Sequence, residues 1–184
     1  MSGKHTFAVR DFTRFSLLAS LTALMQIAPG LIPGPGHVLS ALGTLPVAVA
    51  AFIRPRGGML VAFVSAWLTF MVQPSEAPIL ILCTGPLGLI LGSGIHISAR
   101  PAASIVMGTL TLGSGILVLT FGLGMPAFGP FLSDSNIIAF TVFVTGFSLL
   151  YSWAWFRFLR SLLKKLGRTG FIPTPRIGNK RTLL

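Results

Sequence analysis

The sequence predicts an all-α integral membrane protein, a bundle of six transmembrane helices with both termini in the cytoplasm. Three observations predict it. The chain of 184 residues is 53% hydrophobic and only 9% charged, with a mean hydropathy of +0.85. A soluble domain of this size needs more charge than that to cover its surface. Six apolar runs divide the chain, most of them near the roughly 20 residues that a span needs once their flanks are counted. Finally, all 14 Lys and Arg residues lie before run one, in the second connection, in the fourth, or from the end of run six onward. The first, third and fifth connections carry none, and the positive-inside rule reads that alternation as six spans with cytoplasmic ends.

The elements follow in order. Residues 1–14 form a basic N-terminal segment, and run one covers Phe15–Ala28. It lacks a small-x-small cleavage site ahead of the Pro/Gly-rich stretch, so it is expected to stay as a helix rather than leave as a signal peptide. Pro29–Gly36, with three prolines and three glycines, is expected to be irregular, because proline removes donors and both residue types favour turns. Its apolar character places it against the outer half of the bundle.

Run two, His37–Ile53, stops at the turn Arg54-Pro55-Arg56-Gly57-Gly58. A hairpin of two buried helices is rejected for runs two and three, since Arg54 and Arg56 would have no route to water, at roughly a few kcal/mol apiece. Run three is Met59–Val72, run four Ile79–Ile97 and run five Ala102–Leu123. Run six, Ile137–Phe156, continues as a basic helix to Lys165, which closes the membrane domain at 15–165. Residues 166–184 are expected to be a disordered or lipid-associated basic tail.

Several function classes drop out. A net charge of +11 invites nucleic acid, but the basic residues sit beside membrane segments rather than on a folded face. Anionic lipid headgroups suit them better, at roughly 1 kcal/mol per residue. Cys83 lies in an apolar run and is expected to be a small buried hydrophobe. Gly92-Ser93-Gly94 and Gly113-Ser114-Gly115 lack the glycine two places before the serine that intramembrane serine proteases carry, and close helix approach explains both. His5, His37 and His96 are scattered and no carboxylate pair lies in a span, so neither a metal site nor a cofactor is expected. A haem or cobalt ligand role for His37 is the weaker alternative to a polar anchor. No ionisable residue stands at mid-membrane, which argues against a proton relay.

Small residues are more informative. Ala19 and Ala23 share one face of helix one, and Gly88 and Gly92 share one face of helix four after Gly85. Such faces let helices approach closely, internally or with a partner. For the glycines internal packing is the expectation.

Six helices, cytoplasmic termini, fewer than 200 residues and the Ala19-x-x-x-Ala23 pair together resemble the substrate-binding S components of energy-coupling factor (ECF) transporters. The stretch Leu45–Phe52, turning at Arg54–Gly58 into Met59-Leu60-Val61, is similar to their second and third helices. The resemblance covers about residues 15–165. It implies a non-enzymatic subunit that captures a vitamin or related micronutrient near the outer face. It also implies docking, through Ala19 and Ala23, on a transmembrane coupling subunit driven by two cytoplasmic ATPases. The first outer loop, Pro29–Gly36, would lid the site.

No ligand-contacting residue follows from the resemblance. By position alone the outer-side candidates are Gln26, His37, Trp67, Gln73, Glu76, Thr84, Asp134 and Asn136. Solvated loop or helix-cap roles are the alternative for Gln73, Glu76, Asp134 and Asn136, and a core role for Trp67. Scarce outer charge favours a neutral or largely apolar ligand. The chain contains no Gly-x-x-x-x-Gly-Lys-Ser/Thr phosphate loop. The rival reading is a membrane scaffold or regulator without a small-molecule ligand.

Overall fold

The computed structural model describes residues 9–97, 100–125 and 137–168. Among these, every element is helical. Helix α1 spans Val9–Leu31, α2 Pro35–Leu42, α3 Thr44–Ile53 and α4 Pro55–Val72. Helices α5 (Ala77–His96) and α6 (Pro101–Gly122) follow, and α7 spans Ile137–Arg168. Among the described residues, five segments are long and apolar enough to cross a membrane: α2 with α3, then α4, α5, α6 and α7. The 23 residues of α1 match them in length, although it opens with Arg10, Asp11 and Arg14.

The prolines begin helices more often than they end them. Pro35, Pro55 and Pro101 each occupy the first position of a helix, where a missing N–H costs nothing and the fixed φ is already helical. The turn expected over Arg54–Gly58 therefore shrinks to Arg54 alone, in extended conformation at φ −152°. Gly57 and Gly58 fall inside the first turn of α4. A Cβ on Gly57 would collide with the Phe15 ring, and one on Gly58 would meet Ala51 Cβ at 2.6 Å.

Pro29–Gly36 is likewise more ordered than expected. Helix α1 runs through Pro29 to Leu31, and only Ile32–Gly34 separates it from α2. Gly34 takes φ +84°, a conformation open to glycine and strained for other residues. Nor does the stretch tuck into the bundle as a whole, since Leu31 and Ile32 are 74% and 51% exposed. Only Pro29 and Gly36 are buried in it. Gly36 sits so tightly on the Ala28 carbonyl that any side chain would overlap it.

Helix α3 is the hub. It packs on α1, α4, α5 and α7, and Val47, Ala48, Ala50 and Ala51 are all fully buried. Gly88 and Gly92 of α5 make the closest approach to it. Gly88 rests on the Thr44 carbonyl and Val47, and Gly92 on the Ala48 backbone. Internal packing is thus what the glycine face does. In hydrocarbon no hydrophobic force pulls helices together, so contacts of this kind supply the association through van der Waals attraction. The Gly-Ser-Gly sites act alike: Gly94 lies against Ser104 and Gly115 against the Leu82 carbonyl. Ser114 Oγ donates to the Thr111 carbonyl at 3.0 Å.

Helix α5 widens to a π-turn over Leu80–Thr84, and the Gly85 N–H donates to the Leu80 carbonyl five residues back. Pro86 accounts for this. It has no N–H for the Leu82 carbonyl, and its ring would press on that oxygen in a regular turn. Cys83 is buried at this level, as its apolar run implied.

The basic residues among those described gather at one end. Asp11 pairs with Arg54 at 3.2 Å, joining the start of α1 to the α3–α4 junction. His96 Nδ1 donates to the Phe52 carbonyl at 2.6 Å, which brings the end of α5 to the same level. Leu163 of α7 packs against Val49 and Phe52. The opposite end carries the α1–α2 and α4–α5 connections. Residues 169–184, most of the expected tail, lie outside the described residues; α7 itself continues three residues past Lys165.

Candidate ligand-binding site

A polar cluster occupies the end of the bundle remote from the basic residues. Gln26, near the end of α1, is completely buried. Its Nε2 donates to Glu76 Oε2 at 3.2 Å, and Thr84 Oγ1 donates to its Oε1 at 3.4 Å. One amide therefore ties α1 to the α4–α5 turn and to the π-turn of α5. An uncapped buried amide would cost roughly 1–3 kcal/mol, so this pairing fixes where the three elements meet.

The local folding that places each group is simple. Gln73 ends α4, its N–H donating to the Thr69 carbonyl at 2.7 Å, and the Glu76 N–H returns to the Gln73 carbonyl at 3.1 Å. That short turn sets Glu76 directly before α5. Burial raises the Glu76 carboxyl above its ordinary 4.5, against the lowering effects of the Gln26 hydrogen bond and of nearby His37. His37, in the first turn of α2, is exposed. The Gln73 side chain lies against Gly30, where a Cβ would overlap its amide. The end of α1 thus covers the turn at this point. The α2–α3 junction is also close: a Cβ on Gly43 would stand 3.4 Å from Gln26 Oε1.

Of the residues expected on the outer side, Gln26, His37, Gln73, Glu76 and Thr84 come together at this end. Trp67 does not. It is 57% exposed and lines an apolar groove between α4 and α5. Asp134 and Asn136 lie outside the described residues. Ala19 and Ala23 are 2% and 4% exposed. Ala19 packs with Phe15, Val47, Ala50 and Val61, so the face they form is engaged within the bundle, and a partner would meet it only if α1 moved.

Sequence reasoning passed over the buried hydroxyls. Thr44 and Thr69 are fully buried, and the Thr69 Oγ1 has no hydrogen-bond partner. Thr69 lies one turn before Gln73 on α4. A threonine in an apolar helix usually back-bonds to its own chain, so nothing in the sequence marks these two out.

The cluster offers amide donors and acceptors, one carboxyl and one imidazole. Among the described residues no group of three His, Cys, Asp or Glu could hold a metal ion. The chemistry available is recognition by hydrogen bonding and charge. Comparison of the chain with known protein families, with curated proteins and with solved structures finds no match.

Proposed function

We propose that this chain is the membrane-embedded capture subunit of an ATP-driven importer of small molecules, of the type the resemblance to ECF S components implies. The observation that carries the reading is the completely buried Gln26, held between Glu76 and Thr84 at the charge-poor end of an apolar bundle. In hydrocarbon, polar side chains are placed at a cost and tend to mark function. On this reading the basic end faces the cytoplasm, the cluster opens outward, and a micronutrient exchanges its polar groups for the Gln26 bonds. The division of the α2–α3 segment at Gly43, beside Gln26, fits, since interrupted helices commonly border transported ligands. Energy comes from a coupling subunit and two ATPases, because this chain carries no phosphate loop. If docking uses Ala19 and Ala23, α1 must first part from Val47 and Val61.

A second reading has one observation in its favour. The cluster is hydrogen-bonded within itself, as a clamp between helices would be, and such a clamp would serve a scaffold with no ligand. Native mass spectrometry of protein purified in a gentle detergent separates the two. Capture predicts a bound small molecule in the wild type, absent from Gln26→Leu, together with copurifying ATPase subunits. A wild-type chain free of both contradicts capture and leaves the scaffold.

A further inference from the structure

The groove that Trp67 lines has a volume of about 530 Å³ and is walled by α4 and α5. Phe63, Trp67 and Phe70, at positions i, i+4 and i+7 of α4, form one wall; Ile81 and Leu89 stand on the other. The groove is deep there because Ala62, Ala66 and Gly85 put little or no side chain on its floor. These walls are exposed apolar groups: Phe63 is 74% and Ile81 56% exposed. A membrane-spanning bundle presents such a surface to acyl chains.

Two features give this groove direction and length. Its two walls are the arms of one hairpin, so one end of it, at Phe70 and Leu80, points toward the Gln73–Glu76 turn. Leu80, which lines the groove, lies one helical turn beyond Glu76, and its N–H donates to the Glu76 carbonyl at 3.1 Å. From Met59 to Phe70 the α4 wall is about 16 Å long at 1.5 Å per residue. That is close to half of a hydrocarbon core of about 30 Å, the depth of one leaflet. The groove therefore takes one extended chain, with whatever head it carries held at the turn.

The head is set by charge. Glu76 is the carboxylate of that turn, and the groups given to it are the Gln26 amide and, at longer range, His37. Neither the α4–α5 turn nor the α1–α2 connection holds a Lys or Arg. We infer that the groove and Glu76 together bind a single-chain amphiphile with an amine head, the tail lying along Trp67 and the ammonium meeting the Glu76 carboxylate. This inference rests on the capture reading and extends it from the Glu76 cluster to the groove beside it.

Trp67 reports on it directly. The full chain, in phosphatidylcholine nanodiscs, is titrated with three long-chain probes of matched length and brominated tail, ending in an amine, an alcohol or a carboxylate. Bromine quenches indole fluorescence on contact, and a Trp67→Phe protein supplies the background from Trp153 and Trp155. The amine probe is expected to quench Trp67 at a mole fraction about tenfold below that of the alcohol, as a charge-assisted bond would give. The carboxylate probe should be weakest.

Glu76→Gln should bring the amine to the level of the alcohol while leaving the alcohol unchanged, which shows that the groove is intact. Ala66→Phe should abolish quenching by all three. Equal quenching by all heads in the wild type overturns the inference, as does an amine preference that survives Glu76→Gln, or quenching undiminished by Ala66→Phe. In those events a small molecule bound to wild type and missing from Gln26→Leu would still uphold capture, so the two claims fail separately.

Discussion

Gln26 Nε2 donates to the Glu76 carboxylate across 50 positions of sequence, at 3.2 Å, and joins the end of α1 to the α4–α5 turn. Most of the bundle is held by dispersion between small residues, which sets helix distance and leaves the ends free. This bond, with Thr84 on the other side of the same amide, fixes one end.

The bond has a measurable weight. Gln26→Leu keeps the volume and removes donor and acceptor, leaving a half-buried carboxyl without its amide. A loss of about 1–3 kcal/mol is expected, read by thermal unfolding in detergent. A double-mutant cycle with Glu76→Leu should return a coupling of at least about 0.5 kcal/mol. Strict additivity would contradict a direct interaction.

Glu76 also makes stability depend on pH, with a definite sign. Burial raises its folded carboxyl above the ordinary 4.5, so the folded state holds the proton more tightly than the unfolded one. The contribution is fully present below 4.5 and declines as pH rises through the raised folded value. Wild type should therefore lose stability relative to Glu76→Gln as unfolding is followed upward from pH 4.5. Parallel curves, or a wild type that gains on the variant, would refute this assignment.

Two glycines should respond oppositely to the same methyl group. Gly92→Ala drives a Cβ into the Ala48 carbonyl, backbone against backbone, where no side chain can yield. Overpacking of that kind costs about 1–3 kcal/mol or more. Gly146 on α7 has nothing within 4 Å of the same position, so Gly146→Ala should gain up to about 1 kcal/mol from helix propensity. Melting temperatures in one detergent compare them; similar shifts would contradict the α3–α5 packing.

The apolar runs were readable because hydrocarbon permits few charges and demands continuous helix. Their ends were not, since proline interrupts a helix interior yet begins a helix without cost; Pro55 and Pro35 took the second role. The convergence of Gln26, Glu76 and Thr84 followed from alternation alone, because antiparallel helices of similar length bring every second connection to one end. Which way a side chain faces was hidden. Helices apolar on all sides show no inward stripe, so nothing in the sequence distinguished the inward Ala19 from the outward Trp67. The π-turn at Leu80–Thr84 had a visible cause in Gly85-Pro86, though its effect on Thr84 emerges only in three dimensions.

The account turns on a membrane separating the Arg54 junction from the Gln26–Glu76 turn. Single cysteines at Arg56 and Ser75, each in a Cys83→Ser background, can be probed in intact cells with an impermeant maleimide. The account predicts that Ser75→Cys labels from outside and that Arg56→Cys labels only after the membrane is opened. Labelling of Arg56→Cys in sealed cells, or of both positions from the same side, would contradict it.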